Sequence, residues 1–103
     1  QADVPLTDSA RRTLNLLDKG LSIEEIARIR RLKLNTIQDH IVEIALQLKS
    51  FDITPYVSLD KQQQIIEAAQ QSASKQLKHI RQKVEMADYF EIRLVMAQQG
   101  DKI

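Results

Sequence analysis

Within six residues the chain places Arg28, Arg30, Arg31 and Lys33, and Asn35, Thr36 and Gln38 follow at once. Guanidinium and ammonium groups hold phosphate oxygens, Asn and Gln amides pair bidentately with adenine edges, and a Thr hydroxyl serves any base. That order suits a nucleic acid, with the cations on the backbone and the amides nearest the groove. The same cations would also complement the C-terminal dipole of a preceding helix while staying solvated. Four phosphate contacts imply a salt slope no steeper than about −4 on duplex DNA, which is weak and sequence-tolerant binding. Asn35 has a competing role as a helix cap. Asp39 and Glu43 lie further along the same helix, where carboxylates would meet an anionic groove, so base-specific reading ranks below phosphate contact.

A second basic run, Lys75, Lys78, Arg81 and Lys83 with His79 among them, contains no acid. It offers a secondary phosphate-tracking face, or simply the wet side of an amphipathic helix. Tyr89 and Phe90 could stack on bases and serve equally well as core anchors. Catalysis finds no support: no glycine-rich phosphate loop, no nucleophile with a base and no framed carboxylate pair is present. With no Cys and two separated His, no metal-ligand spacing occurs, and His40 fits a hydrogen-bonded place at a helix interface.

These residues must be positioned by helices. Two Gly, two Pro and 4% aromatics in 103 residues argue against a turn-rich β sandwich, and Ala, Leu, Ile, Gln, Lys, Arg and Glu dominate. Helix one is predicted from Thr7 or Asp8 to Lys19, with Leu6, Ala10, Leu14 and Leu17 inward, Arg11 and Arg12 outward and Gly20 just past its end. Helix two starts with Ser22 as cap and Glu25 as its reciprocal partner, stapled by Leu21 and Ile26, and ends near Arg30. Helix three is predicted from Thr36 to Lys49 with Asn35 as cap. Its stripe of Ile37, Ile41, Ile44 and Leu48 is joined by Val42, Ala45 and Leu46, so its second half should be packed on two sides. Pro55 breaks regular structure. A helix capped by Ser58 then runs from Leu59 to Gln71, another capped by Ser72 or Ser74 holds Leu77, Ile80 and Val84, and Asp88 with Glu91 boxes the start of a last helix stopping at Gly100.

The fold class is therefore all-α with about six helices, the first three forming a helix-turn-helix and the rest packing on its recognition helix. One domain is predicted over 1–103, with a helix-turn-helix half at 1–53 and a C-terminal helical half at 56–103. Ala27 is the small residue where the paired helices cross, Leu32 plugs the turn, and the crossing aims the first turns of helix three outward. Fifteen Lys and Arg against fourteen Asp and Glu give a formal charge of +1, so any anionic partner must be met by a local patch. No apolar run approaches the roughly 18 residues of a membrane span. The start at Gln1, without Met, reads as a fragment of a longer protein.

The stretch "SIEEIARIRRLKLNTIQDHIVEI" resembles the helix-turn-helix domain at the C-terminus of bacterial RecQ-type DNA helicases and related stand-alone proteins. It also shares its "IA" and "T-apolar-x-x-H" skeleton with LuxR-type regulators. "TLNLLDKGLSIEEIA", "YVSLDKQQQIIEA" and "YFEIRLVMA" extend the helicase-associated resemblance over nearly the whole chain. The resemblance implies a non-catalytic accessory module serving DNA repair and recombination in the bacterial cytoplasm, at the nucleoid. The module itself would need no cofactor, while its parent enzyme would use ATP and Mg. The implied partners are DNA and other domains of the parent, with no membrane and no small-molecule substrate. Where the family has Gly in the turn this chain has Arg31, and a left-handed backbone there would carry the modest strain of a non-Gly residue. Two alternatives stand beside this reading: a protein-docking module within the helicase or on a partner, and a stand-alone DNA-binding regulator.

Overall fold

The computed structural model describes residues 5–72 and 76–99. Six helices follow one another: α1 (Asp8–Asp18), α2 (Ile23–Arg30), α3 (Leu34–Gln47), α4 (Leu59–Gln71), α5 (Leu77–Lys83) and α6 (Tyr89–Gln99). Among the described residues there is no strand, and the all-α class holds. The chain divides into two compact units, 1–49 and 50–103.

In the first unit, local chemistry sets each helix end. Thr7 caps α1, its hydroxyl accepting from the Ala10 N–H at 3.2 Å. Gly20, at φ +88°, lets the Gly20 and Leu21 N–H groups return to the Leu17 and Leu16 carbonyls at 2.9 and 3.3 Å, the paired bonds of a Schellman ending. Ser22 and Glu25 form the predicted reciprocal box at the start of α2, at 3.1 and 2.8 Å. That pairing also holds the Glu25 carboxyl below its usual range, first through the Ser22 backbone N–H. The core is Leu6, Ala10, Ile26, Ile37, Ile41, Ile44 and Ala45, all buried. Thr13 is buried among them without exposure, whereas Leu14 and Leu17, predicted for the same stripe, are half-buried. On the other flank of α3, Ala45 is buried but Leu46 is half exposed.

In the second unit, Asp52 and Ile53 shape the chain before α4. The Asp52 carboxylate accepts from the Thr54 N–H at 2.9 Å, and the Thr54 side chain first and this N–H second keep that carboxyl low, while the Ile53 carbonyl receives both Tyr56 and Val57 N–H groups. Ser58 caps α4 as predicted. Ser72 instead closes α4, and α5 begins after Gln76 with no side-chain cap, while Ser74 lies outside the described residues. Asp88 and Glu91 exchange the predicted bonds at 3.0 and 2.8 Å, and Glu91 also pairs with Lys61 at 2.9 Å. The predicted stop at Gly100 is outside the described residues. Helices α4, α5 and α6 pack on one another around Ile65, Ala69, Ile80, Ile92, Leu94 and Val95. Phe51, Tyr56 and Phe90 add a ring cluster, with centroids 6.4 and 6.2 Å apart, whose burial raises the Tyr56 phenol.

Candidate nucleic-acid interface

The turn between α2 and α3 is built on one unusual residue. Arg31 sits at φ 56°, ψ 43°, the left-handed region, where an L side chain costs roughly 1–2 kcal/mol. Its conformation lets the Arg31 and Leu32 N–H groups return to the Arg28 and Ala27 carbonyls at 3.3 and 3.0 Å. A helix ending of the kind glycine makes at Gly20 is thus made here by arginine. The left-handed backbone raised by the sequence is present, and the turn keeps the geometry that a glycine would give.

Helix α3 begins earlier than predicted. Lys33 is its N-cap without a side-chain bond, its carbonyl receiving the Thr36 and Ile37 N–H groups at 3.0 and 3.2 Å. Asn35 is therefore inside the first turn and does not cap it. The error has a local cause: Asn35 is a strong capping type, but the chain is already helical at Leu34, so the Asn35 amide is left exposed. No acid lies in that first turn, and its N-cap residue is the exposed Lys33.

Arg28, Arg31 and Lys33 are exposed, as is Asn35, while Thr36 and Gln38 are half-buried. Ile29 and Leu34 add apolar surface beside them, 59% and 41% exposed. Arg30 departs from the expected set. Its guanidinium turns inward, donating to the Ser9 carbonyl at 2.8 Å, the Thr13 hydroxyl at 2.7 Å and the Ser9 hydroxyl at 3.1 Å. With these three bonds made inside the unit, Arg30 ties α2 to α1, unlike the outward Arg28 and Arg31.

The same region holds His40, 9% exposed, with Nδ1 2.8 Å from the Thr13 hydroxyl and 3.5 Å from Arg30. The Thr13 oxygen accepts from Arg30 and shares a hydrogen bond with His40 Nδ1. Burial, and then the Arg30 charge, lower its pKa, against smaller opposing pulls from Glu43 and Asp39. His40 is thus the interface residue read from the sequence.

Glu43 also differs from expectation. Its carboxylate accepts from the Thr7 N–H at 2.7 Å and the Thr7 hydroxyl at 3.2 Å, capping the start of α1. It is accordingly committed to α1 and does not oppose a strand held at the first turn of α3. Nothing in the sequence spacing of Thr13, Ser9 and Thr7 points to their partners Arg30, His40 and Glu43.

The second basic run does not form one face. Lys75 lies outside the described residues. Lys78 and Arg81 line a hollow with Gln82, Glu85 and Tyr89, whereas Lys83 lines another with Gln64, Glu67 and Gln71. Among the described residues no group of three His, Cys, Asp or Glu is placed to hold a metal ion, and no helix is long and apolar enough to cross a membrane.

Comparison with known proteins agrees with this geometry. The family model described as "Helix-turn-helix domain" matches residues 9–96. Protein YpbB of Bacillus subtilis (strain 168) is 44% identical over 98 residues, covering 94% of this chain and 28% of that protein. The chain thus spans less than a third of the relative's length. No solved structure matches it.

Proposed function

Since the chain belongs to this helix-turn-helix domain family, we propose that it is a non-catalytic DNA-binding module, serving as an auxiliary DNA contact of a RecQ-like helicase in repair and recombination. The observation that carries the reading is the turn at Arg31. It leaves Arg28, Arg31 and Lys33 exposed beside the uncapped first turn of α3, where Asn35 is exposed and Thr36 and Gln38 are half-buried. Phosphates of a duplex would lie on the three cations, and the amides would reach into the major groove. With Arg30 occupied inside the unit, three contacts give a salt slope of about −3, so binding is weak at physiological ionic strength and depends little on sequence. The helicase assignment rests on the sequence resemblance; ATP and Mg would belong to the parent enzyme. Such a module would work in the cytoplasm, at the nucleoid.

Fluorescence anisotropy of the chain with duplex, forked and single-stranded DNA at low salt tests the DNA reading. Duplex-containing forms should bind, and replacing Arg28, Arg31 and Lys33 together with Ala should abolish that binding. No binding at high micromolar protein, or binding indifferent to the triple variant, would overturn it.

A docking role is the second reading, favoured by Ile29 and Leu34, which expose apolar surface next to the cations. Under it, truncating the module from the parent enzyme would impair unwinding without lowering DNA affinity, and the isolated chain would be retained by the helicase core. A stand-alone regulator would instead run as a dimer on size-exclusion chromatography.

A further inference from the structure

We propose that Lys78, Arg81, Gln82, Glu85 and Tyr89 form a second site, separate from the α2–α3 turn, for an unpaired nucleotide of single-stranded DNA. These five residues line a hollow of about 420 Å³ in the second unit. Tyr89 is the first residue of α6 and is 45% exposed, unlike Phe90 beside it, which is drawn into the ring cluster with Tyr56. Its ring faces Arg81, whose guanidinium carbon is 5.2 Å from the ring centroid.

Arg81 is held there by a second bond, its Nε–H donating to the Ala87 carbonyl at 3.2 Å. The cation and the aromatic platform are therefore arranged before any ligand arrives, which lowers the ordering cost of binding. A base stacked on this pair would meet Gln82, which can donate and accept, and Glu85, which can accept from a ring N–H such as thymine N3–H. Lys78 is exposed on the same hollow and supplies a charge for the adjoining phosphate. A duplex cannot use the site, since its bases are stacked and paired; an unpaired strand can.

The test uses the 103-residue chain and an oligo(dT) of about ten nucleotides, within the usual length for such sites. Tyr56 and Tyr89 are the chain's two tyrosines and there is no Trp, so stacking should quench tyrosine emission. Tyr89→Ala should weaken oligo(dT) binding by between about five- and a hundred-fold, and Tyr89→Phe should restore it. Duplex affinity should not change in either variant. Lys78→Ala, on an exposed position that does not threaten folding, should reduce the single-strand salt slope by about 0.7. Absence of oligo(dT) binding would overturn the proposal, as would binding unaffected by Tyr89→Ala. Single-strand binding lost only when Arg31 and Lys33 are replaced would also overturn it, by assigning the strand to the first unit.

Discussion

The guanidinium of Arg30 at the end of α2 donates to the hydroxyl of Thr13 in the middle of α1 at 2.7 Å. That hydroxyl is fully buried and is hydrogen-bonded in turn to His40 Nδ1 on α3 at 2.8 Å. One chain of hydrogen bonds thus joins all three helices of the first unit one residue before the left-handed turn. Its effect is to hold the end of α2 in register with α1, so that Arg31 and Lys33 emerge from a fixed base.

Replacing Thr13 with Val keeps the shape but leaves the Arg30 donor and His40 Nδ1 without their partner. The expected loss is about 1–3 kcal/mol, the cost of unsatisfied buried polar groups. Urea denaturation followed by circular dichroism measures it. Arg30→Ala should lower stability in the same way while leaving the salt slope of DNA binding unchanged, because its charge is spent within the fold.

Stability should fall on acidification through His40. The ordinary histidine value is 6.5 and the folded state holds His40 below it. Between those two values the unfolded chain binds more protons, so stability rises with pH across the window and is fully present above 6.5. Protonation would set a second cation against Arg30, with Asp39 and Glu43 only partly compensating. His40→Asn, which keeps an acceptor near the Nδ1 position, should flatten the urea midpoint between about pH 5 and about pH 7.5. An equally steep profile in that variant would exclude His40 as the source.

Arg31→Gly separates backbone from charge. Glycine adopts φ 56° without strain, although it also loosens the unfolded chain, so a net gain of up to about 1 kcal/mol is expected. Duplex affinity should drop and the salt slope should become shallower by about 0.9. Arg31→Ala should lose the same affinity with no gain in melting temperature.

Glu43→Gln keeps the size of the side chain but removes the charge that caps α1 through Thr7. A loss of about 1 kcal/mol is expected at neutral pH. Duplex binding should be unchanged, since Glu43 is tied to Thr7 and not directed at the strand.

What the sequence determined by itself is whatever is settled within three or four residues. Ser22 with Glu25, Asp88 with Glu91, Ser58 with Lys61, and Gly20 each meet partners that the helix geometry places beside them. The helix order, the outward Arg11 and Arg12 and the buried Ile26, Ile37 and Ile41 follow from the same short-range periodicity.

Tertiary structure alone decided where the long polar side chains went. Arg30 is chemically equal to Arg28 and Arg31, yet it reaches Ser9 and Thr13, 21 and 17 residues away. Glu43 finds Thr7 across 36 residues. Helical spacing says only which side of a helix a group leaves from. Which partner it meets depends on the neighbouring helix brought there by packing of the apolar core, and a flexible four-bond side chain can satisfy several partners equally until that neighbour is in place.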